Sequence, residues 1–349
     1  MSDEPKIRIR RLNKIFGPDA ASVVKLVEQG VGKTELLQEH GHVLGLHDIN
    51  LDIASRQIQV IMGLSGSGKS TLIRHINRLI EPTSGELLVD GENVLALKDE
   101  ALRTFRRRKA SMVFQKFALL PNLTVGENAA YGLTIQNIPA AEAKSRSQRW
   151  IDRVGLGGYE DRYPGQLSGG MQQRVGLARA LATDAEILLM DEAFSALDPL
   201  IRTDMQNVLL DLQEELHKTI VFITHDLDEA LRIGDRIAIL RDGEMVQQAD
   251  PQAIVLNPAD GYVADFIRDI NRGRVLKVKS VMDPVPGHGG PQIDGDMVLE
   301  DAMQVLVGQQ ADSATVTDDG KAIGALTLMN VAKAMARVDL PDAEAGTYR

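Results

Sequence analysis

The stretch that decides the fold is GLSGSGKST, Gly63 to Thr71. A short apolar run, IQVIM (58–62), leads into it. The following TLIRHINRLI has apolar residues at helical spacing until Glu81-Pro82-Thr83-Ser84-Gly85 breaks the pattern. Strand, glycine loop and helix in that order give Gly63-x-x-x-x-Gly68-Lys69-Ser70 the context of a P-loop. Glycine admits backbone angles that turn successive N–H groups inward and make a concave anion site. The helix starting near Ser70 adds its positive end. The expectation is a phosphate cradle of Gly63, Leu64, Ser65, Gly66, Ser67, Gly68, Lys69, Ser70 and Thr71. Within it Lys69 is placed to reach the β- and γ-phosphates of a nucleotide and the Ser70 hydroxyl to bind Mg²⁺. A merely flexible turn would not need those flanking elements.

Working outward, three more buried-strand candidates follow: EILLMD (186–191), TIVFIT (219–224) and RIAIL (236–240). Helical stretches separate them, which implies an α/β domain with a largely parallel sheet. Residues 7–16, IRIRRLNKIF, alternate and suggest an edge strand. A polar helical insert at about 20–42 interrupts what would be a hairpin returning at Leu51. ELLVDGENV reads as strand and turn, and the region from about 98 to 185 as helix-rich and charged. Its run Arg106-Arg107-Arg108-Lys109 reads as a solvated helix face. Near residue 275 the composition shifts to DPVPGHGGPQIDGD. Beyond it lie a helix (VLEDAMQVLVGQQ), two strands around an Asp-Asp-Gly turn and a closing helix, an α+β module small enough for its core to be marginal.

Composition narrows the function. At 349 residues the chain has room for two or three domains, each with its own core. Thirty-nine basic residues against 49 acidic ones leave a net charge of -10, which argues against nucleic acid as partner, since phosphate neutralisation needs a basic face. Cysteine is absent, which removes disulfides and suits a reducing compartment. The start, MSDEPKIRIR, is charged and does not read as a signal peptide, and no apolar run approaches the ~20 residues of a membrane span.

A P-loop needs a carboxylate for the metal and a group to orient water. ILLMDE supplies Asp191 as metal holder and Glu192 as general base at a strand's C-terminal end, where ligands of parallel sheets gather. Without the P-loop this acidic pair would read as a solvated turn. His225 ends TIVFITH in the same placement and suits a γ-phosphate contact, although a lone histidine is commonly structural. Gln115, after SMVF, is placed to reach Mg²⁺ or the attacking water. His40, His42 and His47 cluster without a completing ligand and read as surface residues.

LSGGMQQR (Leu167 to Arg174) is a second glycine-rich, serine-bearing loop without a lysine. GLSGSGKST, Gln115, LSGGM, ILLMDE, SALD (Ser195 to Asp198) and His225 together resemble the ATPase of ABC transporters across residues 1–270. The insert before residue 45, NRLIEPTSGE and MDEAFSALDPLIR resemble more narrowly the ATPase subunit of bacterial quaternary-amine importers, for glycine betaine, proline betaine or choline.

The resemblance implies a RecA-like core with a helical subdomain at about 100–185, and a single CBS-like module at 277–338 before a tail at 339–349. It also explains the second loop. Two copies meet head to tail, so that Leu167, Ser168, Gly169, Gly170 and Asp198 of one complete the ATP site of the other, whose Lys69 is already present. Met171 stands where the signature usually has glutamine, and Phe16 is the aromatic candidate for adenine, with the insert behind it. The implied partners are a second copy, membrane permease subunits and, indirectly, a periplasmic or extracellular binding protein, at the cytoplasmic face of the membrane. Two rival readings fit less well. A soluble ABC ATPase working on ribosomes or DNA would carry two cassettes or long coiled coils and basic surfaces. A non-hydrolysing sensor would lack Glu192 or His225.

Overall fold

The computed structural model describes residues 4–195, 197–285 and 289–336. The three residues 286–288 of the DPVPGHGG loop, Ala196 of SALD, the last two residues of the expected module and the whole 339–349 tail lie outside the described residues. The chain divides into two compact units. The first is residues 1–226 with 233–245, and the second is residues 227–232 with 246–349.

In the first unit β1 (Ile7–Phe16) and β2 (Val43–Ile53) pair antiparallel, from Ile7 opposite Ile53 to Phe16 opposite Val43. The insert between them carries α1 (Val24–Glu28) and α2 (Lys33–His40). It has a small core of its own, with Val23, Val27 and Leu36 packed on Ile15 and Leu44. His42 is buried at its base, with its ring nitrogens facing the His40 and Pro18 carbonyls. That corrects the surface reading of this histidine. His47 also has a partner, Glu244 Oε1, at 2.8 Å.

β3 (Ile58–Met62), buried at every residue, runs through the glycine loop into α3 (Lys69–Ile76). β4 (Ser84–Val89) and β5 (Glu92–Asn93) complete a four-stranded sheet in the order β2-β1-β4-β5. β1 is therefore an inner strand, not an edge: its alternation buries Ile7, Ile9, Leu12 and Ile15 on one face while both backbone edges are paired. Gly85 has to be glycine there. At φ +108° any Cβ would stand 2.5 Å from Leu12 Cα.

α4 (Asp99–Arg108) precedes β6 (Ala110–Val113), so the helical region starts later than 100. A four-residue strand beside four basic residues carries too little periodicity to be read as one. Arg108 is exposed as expected, but two of those basic residues have structural partners. Arg106 donates to the Asn77 and Arg78 carbonyls at the end of α3, and Lys109 bridges Asp90 at 3.0 Å and Glu186 at 2.8 Å. The helices proper are α5 (Val125–Ile135), opened by a Thr124/Glu127 capping box, α6 (Ala140–Arg153) and α7 (Gly169–Ala182).

The chain then returns to the sheet as β7 (Ile187–Asp191), α8 (Pro199–Leu216), β8 (Thr219–Thr224), α9 (Leu227–Ile233), β9 (Arg236–Arg241) and β10 (Glu244–Ala249). The six strands order as β10-β9-β3-β8-β7-β6, and β9, β3, β8, β7 and β6 run parallel. One core joins both sheets, with Leu72, Ile73 and Ile76 of α3 in it.

Besides most of α9 and of β10, the second unit contains α10 (Pro251–Leu256), α11 (Gly261–Ile267), α12 (Arg272–Val275), β11 (Gln292–Asp294), α13 (Leu299–Gly308), β12 (Ser313–Asp318), β13 (Lys321–Thr327) and α14 (Leu328–Met335). β11 pairs parallel with β12, which pairs antiparallel with β13. Its core draws Val255 of α10 in beside Leu276, Val278, Ile293, Leu299 and Val316. The unit therefore begins well before the composition shift near 275. A 60-residue module alone buries too little, and the preceding helices enlarge its core.

His75 of α3 is fully buried and donates Nδ1–H to the Thr71 carbonyl at 2.6 Å. Burial pushes its pKa down to about 4. Between pH 6.5 and 4 the unfolded chain therefore binds a proton that the folded chain refuses, and stability falls as the pH falls through that window. His75→Leu is expected to remove about 2 kcal/mol of the stability lost between pH 7 and pH 5, read by urea unfolding at the two pH values.

Candidate functional site

Register decides where the polar residues meet. In the parallel ladder Met62 of β3 lies opposite Thr224 of β8, Asp191 of β7 opposite Ile223, and Val113 of β6 opposite Met190. The glycine loop, Gln115, the Asp191-Glu192 pair and His225 thus leave the same edge of one sheet, where strands give way to loops.

The loop is a cradle by construction. At Gly63 (φ +149°) a Cβ would stand 2.1 Å from the Leu240 carbonyl oxygen, and at Gly68 (φ +100°) 2.8 Å from the Gly45 oxygen, so its outer side is walled by backbone. Gly66 (φ +80°) faces open space. Lys69, 5% exposed, donates to the Gly63 and Leu64 carbonyls at 2.8 and 2.9 Å. Burial lowers its pKa, while the charges of Glu192 and Asp191 work against that shift. Ser67 Oγ is buried without a hydrogen-bond partner among the described residues. Ser65 is exposed at the loop's tip, and Thr71 gives its carbonyl to His75.

Asp191 is completely buried. Its Oδ1 accepts from Ser70 Oγ at 2.8 Å and its Oδ2 from Arg74 Nη2 at 3.0 Å. Glu192, in a left-handed conformation at φ 47°, accepts from Gln115 Nε2 at 2.6 Å and lies 3.6 Å from His225 Nδ1. A non-glycine residue held there stores strain of the kind found at functional sites. Glu192 thus stands between Gln115 and His225, the other two residues expected at the reacting end. Ser70, Asp191 and Gln115 are hard oxygen donors that fit Mg²⁺, an ion that takes one or two carboxylates and fills its shell with water and phosphate oxygens.

Phe16 ends β1, and the ladder places it beside the cradle despite the insert. A Cβ at Gly45 would stand 2.7 Å from the Phe16 ring, and the carbonyl of that same Gly45 walls Gly68. The ring is 40% exposed, with Lys14 Nζ 4.9 Å from its centroid. Two of the residues expected to act in trans serve as helix caps. Ser168 caps α7 through the Met171 amide and Asp198 caps α8 through the Ile201 amide, while Leu167 is buried. Ser168 and Gly169 are exposed, leaving the N-terminal end of α7 open. Arg74 escaped the sequence reading. Its signal was its spacing, four residues beyond Ser70 on one helix face.

A family model described as ABC transporter matches residues 46–195. The glycine betaine/carnitine transport ATP-binding protein of Listeria monocytogenes is 54% identical over 277 residues, 79% of this chain and 70% of that protein. The chain belongs to the ATP-binding proteins of ABC transporters. The trimethylamine N-oxide transport ATP-binding protein of Ruegeria pomeroyi is 45% identical over 323 residues, 92% of this chain and 94% of its own length. Among solved structures, a dimeric ATP-binding cassette in a post-hydrolysis state with ADP and Pi superposes at a TM-score of 0.61. It shares 33% identity and covers 70% of this chain and 98% of its own. This ABC protein is thus a transport-coupled ATPase of α/β fold. No helix among the described residues is long and apolar enough to cross a membrane.

Arg74→Met leaves the buried Asp191 carboxylate with Ser70 alone. Losing a hydrogen bond to a charged group is expected to cost the nucleotide-free protein about 2 kcal/mol, read by urea unfolding.

Proposed function

We propose that two copies of this chain pair head to tail and drive uptake of a quaternary amine through separate permease subunits at the cytoplasmic face of the membrane. A substrate-binding protein on the far side acts only indirectly. The observation that carries this reading is the division of the anion-binding groups. Lys69, Ser70, Gln115, Asp191, Glu192 and His225 converge on one phosphate end, while a second receptive helix end, Ser168-Gly169-Gly170, stands exposed without a lysine. A helix N-terminus favours an anion, and the partner's P-loop brings one.

In this reading the backbone of residues 63–71 and Lys69 bind the phosphates, and Phe16 stacks on adenine. Ser70, Asp191 and Gln115 hold Mg²⁺, which neutralises charge on the transferred phosphate when bound. Gln115 and Glu192 position the attacking water between them. Glu192 takes its proton as oxygen bonds to the γ-phosphorus and the bond to the bridging oxygen breaks. His225, beside Glu192, faces the γ-phosphate. Ser168 and the Gly169 and Gly170 amides of the other copy close the site, with Asp198 next to them.

Glycine betaine and carnitine are what the Listeria relative is named for, and choline and proline betaine belong to the same chemical class. A second substrate has its own support: the Ruegeria relative that corresponds over 94% of its length is named for trimethylamine N-oxide. Uptake of the labelled amines by vesicles holding this chain with its permease separates them. Two variants test the pairing. Glu192→Gln is expected to bind ATP, stop turnover and accumulate as a dimer on gel filtration, because the base is lost and every phosphate contact kept. Ser168→Arg is expected to bind ATP as a single chain and fail to pair. Normal hydrolysis by Ser168→Arg would overturn the shared site.

The C-terminal module is proposed as a regulator that pairs across the dimer and responds to ionic strength. In its acidic segment Asp296 accepts from Lys277 Nζ at 2.8 Å and from Lys279 Nζ at 2.7 Å. Those lysines hold the carboxyl down at about 2. All three groups are exposed, so added salt weakens the cluster. Asp296→Asn is expected to keep ATP hydrolysis and flatten the salt response of transport. A response identical to wild type would reduce the module to a brace.

A further inference from the structure

Gln115 and Ser168 lie 53 residues apart on different elements, yet a chain of contacts joins them. α7 begins at the Ser168 cap and presents Arg179 three turns later. Arg179 Nη1 donates to the Ala118 carbonyl at 2.6 Å and Nη2 to the Phe117 carbonyl at 3.1 Å. Phe117 and Ala118 are both left-handed, at φ 45° and 49°. Two such residues in succession are costly and persist only where surrounding contacts impose them. The same helix passes close to the segment at two further points. A Cβ at Gly169 would lie 3.6 Å from Phe117 Cζ, and one at Gly176 3.6 Å from the Phe117 oxygen. Lys116 alone separates this gripped pair from Gln115. Burial lowers the pKa of Arg179, as expected for a guanidinium shielded from water and committed to two carbonyls.

We propose that Arg179 is a positioning residue that makes Gln115 and Ser168 move as one body and so links the two ATP sites of the paired protein. The inference rests on the head-to-tail reading, in which Gln115 serves the site on its own P-loop and Ser168 serves the site on the partner's. A displacement of Gln115 by the nucleotide at one site is carried along α7 to the phosphate contact at the other. Coupling of this kind is a free energy shared between two sites, and it shows as cooperativity in ATP concentration.

The experiment compares wild type with Arg179→Met, which keeps the apolar stem and loses both donors, and Arg179→Lys, which keeps the charge without the fork. Far-UV circular dichroism and Tm establish folding, and if the Met variant fails, the Lys variant carries the test. Three readouts follow: trypsin cleavage after the exposed Lys116, ATP affinity of the single chain, and the Hill coefficient of hydrolysis. Loss of two charge-assisted hydrogen bonds is expected to speed cleavage at Lys116 by roughly tenfold or more. ATP affinity of the single chain stays as in wild type. The Hill coefficient falls from above one in wild type toward one in Arg179→Met, with Arg179→Lys between. A cooperative wild type matched by equally cooperative variants with Lys116 still protected overturns the linkage alone. A wild type without cooperativity overturns the shared-site reading and the linkage with it.

Discussion

The arrangement turns on one buried negative charge. Asp191 ends a strand whose five residues are all out of water, and an uncompensated carboxylate there would be untenable. Compensation comes from a single helix, through the Ser70 hydroxyl and the Arg74 guanidinium. That pair ties the start of α3, and with it the whole glycine loop, to the end of β7. Because β7 is in register with β6 and β8, the same tie sets the positions of Gln115 and His225 around Glu192. That one charge thus organises the loop, the acidic pair and their neighbours before any ligand arrives.

Lys69 shows the same economy. Its ammonium rests on two carbonyls of its own loop, which keeps a buried cation satisfied without an anion. A phosphate has only to offer a better acceptor than a neutral carbonyl for the lysine to turn to it. The loop is therefore preorganised, and little ordering remains to be done on binding.

Much of this was legible in the residues, and the misses have physical causes. β3, β7 and β8 are short, fully buried runs rich in apolar residues that lead into the glycine loop, the acidic pair and His225, the signature of a parallel sheet with its site at the strand ends. The glycine loop and acidic pair were readable because their chemistry tolerates few substitutes. β6 was hidden by its brevity, and β1 passed for an edge because alternation reports which face is buried and says nothing about the backbone edges. Arg106 and His42 looked idle for a similar reason. Their partners are backbone carbonyls, which carry no sequence signal. The unit boundary escaped because Val255 belongs to a core whose other members lie downstream of the composition shift.

The placement of the insert has one more consequence. Residues 17–42 enter and leave through adjacent rungs of one ladder, since Phe16 faces Val43 directly. Phe16 and Gly45 are held beside the glycine loop by that ladder, and lengthening such an excursion adds only slowly to its closure entropy. The segment is a splice point. A fluorescent reporter spliced into it, with the residues that pack on Ile15 and Leu44 kept, leaves the Phe16 ring where the ladder puts it.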